Sequence, residues 1–341
     1  MNTAPNQWFI GIDVSKLHFD AALMVIINYQ KGPILTQRFE NNTRGLKSFG
    51  KWIKSHGAKA GPETLIVMEN TGIYHRQLWG FCSREGLAVH IGNAAHIKWS
   101  LGITRGKDDV TDSIRLCRYA VKEAEALKAA PALNPALIRL KDMQTSRTRL
   151  LSQVNANLKY LRELKNISDK SAQSVLEGAY KTAIAGLRKS IKALEGEIKA
   201  ILKTHEDLNR NYRLLLSVPG IGHITAVYLL CCTCNFISRP SGKQLASYAG
   251  LAPFIRSSGS SIRGKAKVHK MANKELKALL HMGARSVIQN NAEMRAYYER
   301  KTGEGKAELS VVNAVKNKII LRAVAVVNNQ RPYVKKASIA A

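Results

Sequence analysis

Trp8-Phe9-Ile10-Gly11-Ile12-Asp13-Val14 is the stretch from which the fold of this chain is read. An apolar run this dense predicts a central strand buried on both faces. Its far end carries a carboxylate, Asp13, followed by Ser15 and Lys16. A lone charge in that position is costly and needs a cation, a metal or several hydrogen bonds. An aspartate at a strand end is also an ordinary turn former, so its meaning depends on what the rest of the chain brings beside it.

Residues 19–27 and 34–39 predict two more strands. With a turn at Lys31-Gly32-Pro33, the first three strands form an antiparallel meander. Asn41-Asn42-Thr43 offers caps for a helix through Leu46, Phe49, Trp52 and Ile53. Thr64-Leu65-Ile66-Val67-Met68-Glu69 reads as a short buried strand that again ends in an acid. A helix around 74–84 and a strand over 87–91 follow. Arg105-Gly106-Lys107-Asp108-Asp109-Val110-Thr111-Asp112 then leads into a helix through Ile114, Leu116, Cys117 and Tyr119. Three strands, helix, strand, helix, strand, helix is the order of a ribonuclease-H-like α/β domain, expected over residues 1–130. Pro131 and Pro135 mark its exit.

Residues 131–213 read as helical. Leu151, Val154, Leu158 and Leu161 recur at 3-4-3, and Ile184, Leu187, Ile191, Leu194, Ile198 and Ile201 at 3-4-3-4-3, a coiled-coil seam. The polar stretch Asn166 to Ser174 divides two helices. The pattern fits an antiparallel hairpin or an inter-subunit coiled coil. Residues 214–341 are expected to form a mainly helical C-terminal domain. It opens with Leu215-Leu216-Ser217-Val218-Pro219-Gly220-Ile221-Gly222-His223, the layout of a helix-hairpin-helix. Gly220 and Gly222 would let backbone N–H groups approach a phosphate; the same turn can simply join two packed helices. Residues 256–270 read as a hydroxyl-rich, basic, flexible loop, with helices over 273–290 and 310–328 beyond it.

The 341 residues carry 53 Lys plus Arg against 24 Asp plus Glu, a formal net charge of +29. That excess points to a polyanionic partner, and nucleic acid fits best. No basic amphipathic helix or lipidation motif suggests a membrane surface, and no apolar run approaches the roughly 18 residues of a span. The N-terminus lacks the charged start and apolar core of a signal peptide, so a cytoplasmic, nucleoid-associated protein is expected. The five cysteines are an odd number, against a disulfide framework. Cys231, Cys232 and Cys234 lack zinc-site spacing and read as buried structural thiols.

Asp13, Glu69, Asp109 and Asp112 lie at strand ends and at a helix start, and the last two share one helix face. Carboxylates meeting at one point repel unless cations join them, and hard oxygen ligands select Mg²⁺ or Mn²⁺. Two such ions about 4 Å apart can hold a scissile phosphate.

Six blocks carry a resemblance. Gly11-Ile12-Asp13-Val14-Ser15-Lys16, Met68-Glu69-Asn70-Thr71-Gly72-Ile73-Tyr74 and Lys107-Asp108-Asp109-Val110-Thr111-Asp112 resemble the acidic blocks of DEDD transposases of bacterial insertion sequences. Piv-type DNA invertases are a branch of that group. Val218-Pro219-Gly220-Ile221-Gly222, Tyr248-Ala249-Gly250-Leu251-Ala252-Pro253 and Ser258-Gly259-Ser260-Ser261-Ile262-Arg263-Gly264 resemble its C-terminal transposase domain. The resemblance implies a RuvC-like N-terminal domain whose tetrad Asp13, Glu69, Asp109 and Asp112 binds Mg²⁺ or Mn²⁺. It further implies a nucleophilic serine at Ser258 that becomes covalently joined to a DNA strand; the residues alone do not separate Ser258 from Ser257, Ser260 and Ser261. Several members are guided by a structured non-coding (bridge) RNA, and the group works as homo-oligomers, here expected as a dimer or tetramer with active sites completed between subunits.

Candidates for contact with double-stranded DNA or RNA are Arg105, Lys107, Gly220, Gly222, Arg263, Lys265, Lys267 and Lys270. Two departures stand out: Ala272 replaces a glycine common in relatives, and Asp108 adjoins Asp109, although the spacing to Asp112 favours Asp109. Two other readings compete with the transposase. One is a RuvC-like metal-dependent DNA endonuclease using activated water, with Ser258 only a loop residue. The other is an architectural nucleic-acid binder, which leaves the four acids unexplained.

Overall fold

Gln7–Val14 forms β1, which has a paired strand on each side in the sheet. The computed structural model describes residues 6–70, 72–102, 108–166, 169–258, 262–268 and 272–334. The chain divides into two compact units, Met1–Leu133 and Asn134–Ala341.

In the first unit β2 (His18–Ile27) folds back antiparallel on β1, with Asp13 opposite Asp20. β3 (Gln30–Lys31) and β4 (Leu35–Glu40) both pair with the outer edge of β2. The tight turn lies at Asn28-Tyr29, where both residues have positive φ (47° and 65°), as a two-residue type I′ hairpin requires. Lys31-Gly32-Pro33 is therefore not the turn: Gly32 N–H still donates to the Val25 carbonyl at 2.9 Å, and the segment interrupts one edge strand. After α1 (Thr43–Ser55), β5 (Gly61–Glu69) lies parallel to β1, with Ile12 paired to Met68. α2 (Arg76–Arg84), β6 (Leu87–Gly92), α3 (Ala94–Leu101) and α4 (Asp109–Lys122) complete the unit. The strand order is β3-β2-β1-β5-β6, with β4 beside β2.

Alternation sorts side chains to the two faces of this sheet. Ile10, Ile12 and Val14 of β1 join Phe19, Leu23, Ile66 and Met68 in a core with Phe49 and Ile53 of α1 and Leu78 of α2. Phe9, Ala22, Met24 and Val67 face the other way, onto Leu116, Cys117 and Tyr119 of α4. Gly11 is what lets α4 come so close. A Cβ there would lie 2.0 Å from the Cys117 backbone nitrogen and 2.3 Å from the Ser113 carbonyl oxygen.

The second unit begins with α5 (Pro135–Glu163) and α6 (Lys170–Thr204), joined through a 3₁₀ turn at Leu164–Asn166. They form an antiparallel hairpin within the chain. The Tyr160 and Tyr180 rings lie 4.8 Å apart, Arg147 Nε donates to Glu195 at 2.7 Å, and Val154 and Ile184 are buried between the helices. α7 (Glu206–Leu216), α8 (His223–Cys232) and α9 (Gly242–Tyr248) lead to a hairpin of β7 (Pro253–Ser258) and β8 (Ile262–Val268), then α10 (Lys274–Asn290), α11 (Ala292–Gly303) and α12 (Glu308–Asn328). The root of the coiled-coil hairpin (Leu137, Leu140, Ile198, Ile201) shares one core with Leu215, Leu230, Leu280, Val315 and Ile319.

Where the sequence suggested a flexible loop over 256–270, the backbone pairs Ser258 with Ile262 and Arg256 with Gly264. Phe254, Ile255, Ile262 and Val268 flank the Ser-Gly stretch, and such residues favour strands. The cysteines are free, and burial pushes the Cys82, Cys117, Cys231 and Cys232 thiols up to about 12, the opposite of a metal-binding thiolate.

Candidate active site

The sheet face that receives α4 also receives the acids. Asp13 follows Phe9 and Gly11 by strand alternation, Glu69 follows Val67, and Asp20 precedes Ala22, so all three point toward α4. With Ser113 and Cys117 seated on Gly11, the preceding turn of α4 places Asp109 and Asp112 over the C-terminal end of β1. Both acids lie in the first turn, where the helix dipole favours negative charge.

Asp13 registers this convergence. Burial comes first, then the charges of Asp109, Asp112, Glu69 and Asp20, and together they push its carboxyl up to about 6. Its ordinary value is 3.8. Asp108, by contrast, is exposed and is not among the charges that raise Asp13. It caps α4, accepting from the Thr111 N–H at 2.8 Å and from the Thr111 hydroxyl at 2.5 Å. The Thr111 hydroxyl and amide hold the Asp108 carboxyl below the usual range. Of the adjacent aspartates, Asp109 is thus the one whose charge reaches Asp13.

Three residues that sequence reasoning passes over complete the setting. Asp20 is only 3% exposed and is held by Arg38, whose Nε and Nη2 donate to its two oxygens at 2.9–3.2 Å. Arg38 Nη2 also reaches Asp109 at 3.4 Å, and His18 Nε2 lies 3.3 Å from the same oxygen. Among the described residues, His18, Asp20 and Asp109 form the metal-capable group whose donor atoms all lie within 4.8 Å of one another. The bidentate arginine already satisfies Asp20, so that trio serves to orient Asp109 more than to bind a cation. Asp112 takes a 2.6 Å ion pair from Arg115. Among the described residues, no ion pair or hydrogen bond engages the Asp13 carboxylate. A readable signal for Asp20 existed: an acid in the otherwise apolar Phe19-Asp20-Ala21-Ala22-Leu23, two places beyond a short turn, must oppose the end of the first strand.

A divalent cation fits this donor set chemically. Asp13, Glu69, Asp109 and Asp112 offer hard carboxylate oxygens at half-buried positions, although among the described residues no three of them bring donor atoms within 4.8 Å of one another. The second unit carries the remaining candidates. Ser258 ends β7, and the backbone of Arg263, Lys265 and Lys267 lies in β8. Arg105, Lys107 and Lys270 fall outside the described residues. Gly220 has φ +91°, and a Cβ on it would meet Ile319 at 2.8 Å and Val287 at 3.0 Å, so this glycine serves packing. Gly222 opens α8 as its cap, with free space beside it.

Two family models match separate regions of the chain, the first of them running past the boundary between the two units. Residues 10–165 match a family model described as a transposase, and residues 212–299 match the transposase IS116/IS110/IS902 family. Over 337 residues the chain is 31% identical to the pilin gene-inverting protein of Moraxella bovis, covering 97% of this chain and 99% of that one. The chain belongs to the IS110 family of DEDD transposases. The Moraxella lacunata pilin gene-inverting protein is equally similar, at 31% over 337 residues with the same coverage. A transposase of insertion sequence IS1111A from Coxiella burnetii (strain RSA 493 / Nine Mile phase I) is 25% identical over 254 residues, 66% of each chain. In this IS110-family transposase all four acids fall inside the first matched region and Ser258 inside the second. No helix among the described residues is long and apolar enough to cross a membrane.

Proposed function

We propose that this transposase cleaves and rejoins DNA strands with Mg²⁺ or Mn²⁺ held by Asp13, Glu69, Asp109 and Asp112, and with Ser258 as the nucleophile. The observation that carries the reading is the convergence of acids on one sheet end, registered by the raised Asp13 carboxyl, inside a chain of net charge +29. An electronegative point in a positive protein suits a cation that must meet a phosphate. The sheet order, with its antiparallel first half and parallel second half, supports a RuvC-like domain. The bound cation would polarise a phosphate oxygen and offset charge in the transition state. The chain's own part is to fix those carboxylates: β1 and β5 carry two of them, the close α4 packing carries two more, and Arg38 and His18 orient Asp109.

In the proposed step the Ser258 hydroxyl attacks a phosphodiester phosphorus. One P–O bond to the serine forms, one P–O bond to deoxyribose breaks, and the serine proton ends on the leaving alcohol. Bond types are conserved, so the reverse attack rejoins strands without an external energy source. The Moraxella relatives are named for inverting a pilin gene and the Coxiella relative for transposition, which supports inversion or insertion as the outcome. The family resemblance also supports a structured guide RNA and a homo-oligomer.

The test is a gel assay with labelled cognate DNA and Mg²⁺. The wild-type chain should form a covalent protein–DNA adduct, Ser258→Ala should lose both adduct and cleavage, and Asp13→Ala should lose cleavage. Cleavage that survives Ser258→Ala would instead assign a water nucleophile and the endonuclease reading.

A further inference from the structure

The cations of the second unit are not evenly spread. α10 carries Lys277, His281 and Arg285 at four-residue intervals, hence along one stripe. Facing them from α12 is Lys316, which is only 6% exposed. Lysine is almost never buried so far without a partner. Here none of the described carboxylates is paired with it. The one acid of α10, Glu275, engages Thr148 of α5 at 3.4 Å, and the one acid of α12, Glu308, lies two turns before Lys316.

What surrounds Lys316 makes the situation worse for the empty protein. Burial and the charge of Lys277 lower the Lys316 ammonium's hold on its proton, and burial, Lys316 and Arg285 do the same to His281. Packing alone would be served better by methionine or leucine at position 316. A buried lysine beside three half-buried or exposed cations, with no described carboxylate paired to it, is a local violation of the usual rules, and such violations concentrate where function requires them.

We propose that Lys277, Arg285 and Lys316 form a binding site for a backbone phosphate of nucleic acid, with His281 as an additional donor. A phosphodiester supplies the missing negative charge. Lysine offers up to three donors and arginine a planar fork that matches phosphate oxygens. Partial burial weakens solvent screening and strengthens each interaction.

The location gives the site a purpose. Asn313, one turn before Lys316, donates from Nδ2 to the Leu251 carbonyl at 2.9 Å, just ahead of β7. Asn273, one turn before Lys277, donates its N–H to the Tyr248 carbonyl at 2.8 Å, just ahead of the same hairpin. The cation cluster thus lies about one helical turn from two points that tie α10 and α12 to the approach of the hairpin that carries Ser258. A strand anchored there is held at the root of that hairpin. This inference rests on the nucleic-acid reading above and adds the residues that grip the backbone.

The experiment is fluorescence anisotropy with the full chain, titrated with a short DNA duplex and, separately, with a structured RNA, over a range of salt. Two variants are compared: Lys316→Met, and the surface pair Lys277→Ala/Arg285→Ala, which leaves the core intact. Both should weaken binding at least about tenfold and flatten the dependence on log salt by about one for each phosphate no longer held. Weakened binding in the DNA arm, the RNA arm or both identifies whose backbone occupies the site. In the absence of nucleic acid, Lys316→Met should also raise the melting midpoint by about 2 °C or more, because it removes an uncompensated buried charge. Wild-type binding that both variants retain within twofold, with unchanged salt slope, overturns the site alone. A lowered midpoint in Lys316→Met with unchanged binding likewise overturns it by assigning Lys316 to packing. A wild-type chain that binds neither probe overturns the proposed function and the site together.

Discussion

Replacing Asp13 by asparagine should make the metal-free protein more stable while destroying its use for a cation. Asp13 ionises near 3.8 in an unfolded chain but near 6 in this fold. Between those values the folded state holds a proton that the unfolded state has lost, so stability falls as pH rises through about 4 to 6 and the full penalty stands above 6. At about 1.4 kcal/mol per tenfold change in proton affinity, the ceiling is about 3 kcal/mol. Asp13 is half-buried, and solvent screening reduces this to about 1–2 kcal/mol. Asparagine keeps the shape and removes the charge. In urea denaturation with a chelator at pH 7.5, Asp13→Asn should gain about 1–2 kcal/mol over wild type, and the gain should vanish below about pH 4. Adding Mg²⁺ should then stabilise the wild type and leave Asp13→Asn unmoved. An asparagine variant that is equally or less stable at pH 7.5 in chelator would refute the claim that neighbouring acids load Asp13 with uncompensated charge.

Three other sets of substitutions probe the scaffold around it. Arg38→Met strands the buried Asp20 carboxylate and should lower the urea midpoint, with Arg38→Lys recovering part of the deficit. Gly11→Ala drives a methyl group into the α4 backbone and should cost about 3 kcal/mol or more; Mg²⁺-induced stabilisation should fall with it, because α4 carries Asp109 and Asp112. Asp108→Ala removes a helix cap, so it should lower stability modestly and retain Mg²⁺ binding, whereas Asp109→Asn should lose Mg²⁺ binding with little change in stability. Isothermal titration with Mg²⁺ separates the last two.

Much of this fold is legible because one short strand constrains it. The apolar run at Trp8–Val14 can only be central, and the acid at the end of Thr64–Glu69 can only join Asp13 if the two strands are parallel neighbours, which the Ile12–Met68 register satisfies. The coiled-coil periodicity likewise fixes two long helices, although only the Tyr160–Tyr180 and Arg147–Glu195 pairs decide that they associate within one chain. Other features escape pattern reading for physical reasons. A glycine and a proline at 32–33 advertise a turn, yet Asn28 and Tyr29 adopt the positive φ values that make it, an energetic choice governed by strand pairing on both sides. The β7–β8 hairpin is hidden because Ser, Gly and Lys outnumber its strand-favouring Phe254, Ile255, Ile262 and Val268, and ladder hydrogen bonds depend on the partner strand and not on either segment alone. Asp20 and Arg38 are eighteen residues apart and meet only through cross-strand register, which a motif search does not see.

That register also explains how five acids are tolerated at one sheet end. Asp20 is neutralised by Arg38, Asp112 pairs with Arg115, and Asp109 leans on both Arg38 and His18. These protein cations stand at the edges of the cluster, on β2, β4 and α4, and none of them engages Asp13 at its centre. A lysine or arginine in that position would have been a simple way to quiet Asp13, and it would have occupied the place a divalent ion must take. The fold therefore compensates the outer carboxylates with its own side chains and leaves the inner one charged against its neighbours. The instability assigned to Asp13 and the affinity proposed for its cation are the same electrostatic interaction with opposite signs. Asp13→Asn should therefore gain stability in chelator and lose Mg²⁺-induced stabilisation together, and a variant that gained the first while keeping the second would break the link.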